Sequence, residues 1–321
     1  MLSVYLDQNK WIDLARVTFS RDVPKEHVDA ASYLRSEVQS RRIRLPVSSV
    51  HIMEASRIGN RTKRLELGSV FTTYSDGWFL LGRPALIAHE IQSALADLLG
   101  VRCDAESPFS PFRRDFLLAF ADYPSLSSLL NRRESALMDM SAALGPVLSL
   151  ISFLEFPDED NRQTAIRRMT ASNDELIEGI RARRARWADE SAHFRLRAYS
   201  AVLFLDIQDK IQVALTSLGR TFQDLRALPD AQIAGLLDKM PCLDIERRLA
   251  VQVEQQSSRE LQGNDIYDIA WLSAAIPYCD IVVTEKLWVH SCRVCGIDNM
   301  YRTQILRSLT ELIESLQLRT A

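Results

Sequence analysis

Glycine and proline are scarce in this sequence. Each occurs 11 times in 321 residues, which is about 3% of the chain against the usual roughly 7% and 5%. Because both residues break helices, their scarcity predicts a largely helical protein. It disfavours an all-β architecture, whose many turns require them.

Cysteine is also sparse, and its five positions form no regular pattern. An odd number of scattered cysteines is typical of reduced thiols and not of a disulfide framework, so we expect a cytoplasmic protein. Cys292 and Cys295 form one CxxC, but no second ligand pair at zinc-site spacing accompanies them. We therefore interpret them as two thiols on a helix.

An excess of positive charge and a long apolar run are both missing. The formal net charge is −3, so a nucleic-acid contact would need a local basic patch. The most apolar region, residues 141–156, contains Gly145 and Pro146 and is shorter than the ~20 residues that cross a bilayer. The opening MLSVYLDQNK, with Asp7 and Lys10, is not typical of a signal peptide. We expect no membrane association.

Short strand patterns alternate with helical patterns at the two ends of the chain. SVYLD, IRLPV, GWFLL and DIVVT are short β-branched or aromatic runs, and a further short strand is predicted near Gln304. Strands that alternate with helices predict a parallel α/β sheet.

The middle of the chain has helical periodicity and, except around Val101 to Cys103, no strand pattern. Asn173 is predicted to cap a helix that continues, with or without a kink, to Gly219. The domain prediction follows from this change of pattern. Residues 1–82 and 263–321 form one α/β domain, and residues 83–262 form a helical insertion.

Polar residues end three of the predicted strands, and Ser48 and Ser49 follow the second of them, IRLPV. Asp7 ends SVYLD, and Thr284 and Glu285 end DIVVT. Ligands of parallel α/β sheets bind at the carboxyl ends of the strands, so these residues are candidates for a site. Asp280 begins its strand and is excluded because it belongs to the opposite edge.

Two predicted helices carry further acids in unusual places. Glu54 occupies an apolar stripe, and Asp265 and Asp268 share one face of a late helix. The ordinary interpretation makes Asp7 a helix cap, Asp265 and Asp268 first-turn acids, and Glu54 the partner of an arginine such as Arg57. If the acids instead converge, their repulsion favours a divalent cation, because only two lysines of these motifs, Lys10 and Lys286, oppose them.

The ordered set of these residues resembles the PIN-like nucleases. VYLDQNKWIDL, with Asp7 and Asn9, is similar to the family's opening strand and helix. The Glu54 helix resembles its second acidic element. DIYDIAWLSAAIPYCDIVVTEK resembles its late helix and the strand that follows. In this match the acid at the start of the helix is Asp265 or Asp268, and the strand ends in Thr284 and Glu285. This sequence has Lys286 where the family often has Asp.

The resemblance implies a PIN-like fold and a hydrolase that cleaves phosphodiester bonds with metal-activated water. The implied ligands of Mg²⁺ or Mn²⁺ are Asp7, Glu54, Asp265 and Asp268, with Glu285 as a further catalytic acid. Asn9, Lys10, Thr284 and Lys286 are implied to position the substrate. RNA is the expected partner and DNA the alternative.

The helical insertion has its own interpretations. RARRARW, residues 181–187, with the following HFRLR, forms either a basic strip that grips nucleic acid or a solvated face balanced by Asp189 and Glu190. The insertion also offers a surface for a protein partner or a second copy. A haloacid-dehalogenase-like phosphohydrolase would need DxD, which Asp7 followed by Asn9 does not provide. A catalytically weak or inactive nucleic-acid- or protein-binding scaffold of the same fold is the remaining alternative.

Overall fold

The structure is a computed structural model that describes residues 1–19, 23–102, 109–120, 145–155, 159–256 and 259–320. The chain divides into two compact units. The first, called the sheet unit here, comprises Met1–Gly82, Pro111–Met169 and Tyr278–Ala321. The second, called the helical unit, comprises Arg83–Ser110 and Thr170–Pro277.

The strands belong to the sheet unit and are short. They are β1 Leu2–Leu6, β2 Ile43–Arg44, β3 Phe79–Leu80, β4 Phe112–Arg113, β5 Ile281–Val283 and β6 Gln304–Leu306. A parallel sheet has the order β2-β1-β5-β6, and β3 pairs antiparallel with β4. Leu6 lies opposite Val283 in the β1–β5 pair, so the ends of two predicted strands meet as the sequence indicated.

Helices make up most of the described chain. Those of the sheet unit are Gln8–Thr18, Lys25–Gln39, Ser49–Ser56, Arg61–Ser75, Pro146–Glu155, Lys286–Val294, Ile297–Met300 and Leu309–Thr320. Glu159–Arg186 runs from the sheet unit into the helical unit. Those of the helical unit are Arg83–Leu98, Ala192–Asp206, Gln208–Ser217, Phe222–Arg226, Asp230–Ala234, Pro241–Gln255 and Gly263–Ala275.

The core of the sheet unit explains why these elements form. Val4 and Leu6 of β1 and Ile281 and Val283 of β5 are fully buried in one cluster, where Trp11 of the first helix also packs. Apolar residues at alternate strand positions bury one face of a sheet, and those at helical spacing cover it. The mixed α/β architecture with a parallel sheet is therefore confirmed.

Several local predictions in the middle of the chain are wrong. Asn173 does not begin a helix, because it lies inside Glu159–Arg186, whose first turn carries two acids. The predicted run to Gly219 is broken after Arg186, where Ser191 caps the next helix by accepting the Phe194 N–H at 3.1 Å. Residues 101 and 102 form no strand, and Cys103 lies outside the described residues.

The third predicted strand also pairs differently. Phe79–Leu80 makes only an isolated parallel bridge to Val47 and pairs antiparallel with β4. The two units differ from the predicted division as well: residues 111–169 group with the sheet, and helix Gly263–Ala275 packs with helix Pro241–Gln255 in the helical unit. In the described part of the chain, no helix is both apolar enough and long enough to span a membrane.

Candidate functional site

Asp7 lies at the junction of β1 and the first helix. Its backbone is extended, with φ −60° and ψ 153°, and its carbonyl accepts the N–H of Lys10 at 2.9 Å. Asp7 thus occupies the N-cap position, but no backbone N–H of helix Gln8–Thr18, all of which is described, donates to its side chain. The carboxylate is 5% exposed. The ordinary interpretation of Asp7 as a side-chain cap is therefore wrong, and its carboxylate faces another partner.

Thr284 is that partner. The fully buried Thr284 hydroxyl donates to Asp7 Oδ2 at 3.5 Å, at the outer limit of a hydrogen bond. The Asp7 N–H donates to the Val283 carbonyl at 2.9 Å. Parallel pairing of β1 with β5 thus places the two strand-terminal residues side by side.

The next residues of the same two segments also meet. The Asn9 side-chain amide donates to Glu285 Oε1, and both side chains are exposed. Lys10 is half-buried in the first turn of one helix, and Lys286 is exposed at the start of the other. Five of the predicted site residues, together with Asp7, therefore lie at the carboxyl ends of β1 and β5.

A buried polar cluster lies beside Asp7. It contains Ser48, which the sequence indicated at a strand end, and Tyr5 and His51, which the sequence analysis missed. Tyr5 and Ser48 share a hydrogen bond of 2.6 Å between their hydroxyl oxygens, and the Ser48 N–H donates to His51 Nδ1 at 3.1 Å. The His51 ring stacks on Tyr5 with ring centroids 4.8 Å apart. The alternation of side chains along β1 could have indicated Tyr5, because residues 5 and 7 point to the same face.

The charges around this cluster are negative. Burial raises the pKa of Tyr5 well above its ordinary value, and the nearby carboxylates of Asp7 and Glu54 raise it further. Glu54, on helix Ser49–Ser56, therefore acts on the same hydroxyl as Asp7. Burial also lowers the pKa of His51 to about 3, so its ring is neutral at pH 7 and offsets neither carboxylate.

Asp265 and Asp268 belong to the helical unit, where they make different contacts. Asp265 is 4% exposed, and its Oδ2 accepts the Gln262 N–H at 2.9 Å, as the third-position acid of a capping box does. Its Oδ1 pairs with Arg259. Asp268 is half-buried, and its Oδ1 accepts the Trp271 indole N–H at 3.0 Å. The first-turn role predicted by the ordinary interpretation is therefore present for Asp265.

The arginines of RARRARW do not form the predicted strip. Arg183 pairs with Glu254 at 2.9 Å, and Arg184 donates to the carbonyls of Val253 at 2.7 Å and Arg259 at 2.8 Å. These contacts hold the end of helix Pro241–Gln255. Half of the cluster is thus structural, whereas Arg181 and Arg186 are exposed. Neither interpretation from the sequence, a strip or a solvated face, describes the whole segment.

Among the residues that the structure describes, no three His, Cys, Asp or Glu side chains form a group that could hold a metal ion by themselves. The exclusion of Asp280 is supported: its Oδ2 accepts the Ser3 N–H at 2.7 Å, near the start of β1 and away from Asp7.

Comparisons with known proteins add nothing to this geometry. No family model matches the chain, and no curated protein or solved structure matches it either.

Proposed function

We propose that the protein is a PIN-like, metal-dependent nuclease that hydrolyses phosphodiester bonds, with RNA as its substrate. The observation that carries the proposal is the Asp7 carboxylate, which ends β1, caps no helix and accepts the Thr284 hydroxyl from the neighbouring strand. A buried acid at that edge, with a hydroxyl to orient it, is costly for stability and useful for chemistry.

The donor set fits a hard cation. Asp7 and Glu54, which both act on the Tyr5 hydroxyl, would supply carboxylate oxygens, which Mg²⁺ and Mn²⁺ prefer. Mg²⁺ keeps several waters and commonly takes only one or two carboxylates together with substrate phosphates, so a three-residue protein cage is not required. Bound there, the ion would lower the pKa of a coordinated water and offset charge on the scissile phosphate.

The other residues have roles that follow from their positions. Thr284 holds the Asp7 carboxylate, and Asn9 holds Glu285 through its amide. Lys10 and Lys286 lie in the first turns of helices beside these acids and would meet phosphate oxygens of a bound strand. Neutral His51 supplies no positive charge at pH 7.

The proposal is tested with wild-type protein and labelled RNA or single-stranded DNA of the same sequence. We expect cleavage of RNA in Mn²⁺ and none in EDTA, because the acids alone do not activate water. Cleavage that persists in EDTA would place the activity elsewhere. Cleavage of neither substrate would favour the binding scaffold.

A further inference from the structure

A pocket lies in the sheet unit, at the amino ends of β1 and β2. It has a volume of about 300 Å³ and is lined by Met1, which precedes β1, and by Ile43 and Arg44 of β2. Asp7 follows the opposite, carboxyl end of β1, so the pocket is separate from the candidate nuclease site. Its volume lies at the small end of the range for ligand pockets, which is roughly 300 to 1,000 Å³.

Three guanidinium groups and one carboxylate line this pocket, and the carboxylate of Asp280 also acts on Arg44. The cations are Arg41, Arg44 and Arg114, and the acid is Asp76, which pairs with Arg114. Arg44 is fixed in place, since its Nε donates to Ser3 Oγ at 2.9 Å. Burial lowers the pKa of Arg44, so its charge is incompletely solvated and gains from a bound anion. The pocket therefore favours a negatively charged ligand.

Flat and apolar surfaces lie beside these charges. The guanidinium groups of Arg44 and Arg114 lie over the Trp78 ring, with their carbons 5.2 and 5.1 Å from its centroid. Arg44 also lies over the Phe112 ring, at 4.2 Å. Val38 and Ile43 add aliphatic surface to the lining. Aromatic rings and guanidinium planes stack on the faces of nucleic-acid bases. A bare phosphate would leave this part of the pocket unused.

Arg41 has a backbone conformation that favours glycine. It follows helix Lys25–Gln39 in a left-handed conformation with φ 56°. Its N–H donates to the Val38 carbonyl at 2.9 Å, and the Arg42 N–H donates to the Glu37 carbonyl at 3.0 Å. This is a Schellman ending, in which glycine is the favoured residue at the position of Arg41. In the described chain, the other non-glycine residue with positive φ is Asp76, at 49°, which lines the same pocket.

An arginine in place of glycine adds strain, and such strain concentrates at functional positions. The Arg41 guanidinium makes no ion pair or hydrogen bond with any described residue, so it is available to a ligand. We propose that this pocket binds a nucleoside 5′-phosphate, with the base against the layer that Trp78 forms with the guanidinium groups over it and the phosphate beside Arg41. The nucleotide is either free or the 5′ end of a nucleic-acid strand.

The test is calorimetric titration of the full chain in EDTA, so that no cleavage occurs. Adenosine 5′-monophosphate should bind, and adenosine and inorganic phosphate should each bind at least about tenfold more weakly, since each lacks one half of the ligand. A 5′-phosphorylated RNA hexamer that binds more tightly than its 5′-hydroxyl form and than the mononucleotide identifies a strand end. Tighter binding of the mononucleotide than of the phosphorylated hexamer identifies a free nucleotide.

Arg41→Gly is the decisive variant because glycine suits the backbone there. Its melting temperature should equal or exceed that of wild type, and its affinity for adenosine 5′-monophosphate should fall at least about tenfold. Arg16→Ala removes an exposed arginine from the first helix and should bind as wild type does.

Failure of wild type to bind the mononucleotide, or equal binding by Arg41→Gly, would overturn the proposal. Phosphate that binds as tightly as the mononucleotide would overturn the role of the base. None of these results depends on nuclease activity, so the two proposals fail separately.

Discussion

The hydroxyl of Thr284 lies 3.5 Å from Oδ2 of Asp7, although 277 positions separate the two residues. Both follow the ends of neighbouring parallel strands, β1 and β5. The contact joins the two halves of the α/β pattern that the sequence shows at its ends. It also gives the Asp7 carboxylate a fixed orientation at the sheet edge.

Replacement of Thr284 by valine tests that orientation. Valine keeps the shape of the buried side chain and removes the donor, so we expect the RNA cleavage rate to fall about 10- to 100-fold, as for other groups that orient a metal ligand. Thr284→Ser keeps the hydroxyl and should retain most of the activity. Equal rates for wild type and Thr284→Val would show that the contact does not position Asp7.

His51 is buried in its neutral form, so the free energy of unfolding should depend on pH. The pKa is about 6.5 in the unfolded chain and about 3 in the folded protein. Below about pH 6.5 the unfolded chain binds a proton that the folded protein does not, so stability falls as pH decreases towards 3. The loss between pH 7 and pH 5 should be about 2 kcal/mol, measured by urea unfolding.

The control for this prediction is His51→Gln. Glutamine is a favoured third-position residue of a capping box, so it can accept the Ser48 N–H without titrating. The variant should lose about 2 kcal/mol less than wild type over the same pH interval. The same pH dependence in both proteins would mean that other groups cause it.

Substitution of Asp265 and substitution of Asp268 should have different effects on stability and on RNA cleavage. Asp265→Asn weakens a capping box and removes the ion pair with Arg259, so we expect a loss of about 1 to 2 kcal/mol in urea unfolding. Asp268→Asn keeps an acceptor for Trp271 and should unfold as wild type does. Asp268 is the preferred ligand of the two because its helix face continues into Leu272 and Ala275, so Asp268→Asn should lower RNA cleavage. If only Asp265→Asn lowers cleavage at equal folded fraction, the ligand assignment must be exchanged.

Arginines of RARRARW that make tertiary contacts should contribute more to stability than those that are exposed. Arg184 donates to two backbone carbonyls near the end of helix Pro241–Gln255, so Arg184→Ala should cost about 2 kcal/mol or more of unfolding free energy. Arg186 is exposed, and Arg186→Ala should change stability by less than about 0.5 kcal/mol. Similar unfolding of the two variants would show that the Arg184 contacts contribute little.

Local apolar patterns were sufficient to predict the sheet. The β-branched and aromatic runs of β1 and β5 indicated buried strands, and the polar residues at their ends indicated the edge where Asp7, Thr284 and Glu285 meet. These signals depend on neighbouring residues, which the sequence displays directly.

Contacts between distant residues could not be predicted in this way. The neutral state of His51 depends on burial against Tyr5 and Phe71, and the role of Arg184 depends on a carbonyl about 70 positions away. The pairing of Phe79 with Arg113 required a strand of two residues, which has no periodicity to detect. Tertiary contacts decided each of these features.

The most direct test of the nuclease account compares Asp7→Asn with Asp29→Asn in Mn²⁺. The same substitution removes a buried, strand-terminal carboxylate in one protein and an exposed helix carboxylate in the other. Single-turnover cleavage of RNA should fall by orders of magnitude in Asp7→Asn, with its fold intact by circular dichroism, and should remain at the wild-type rate in Asp29→Asn. Full activity of folded Asp7→Asn would contradict the account.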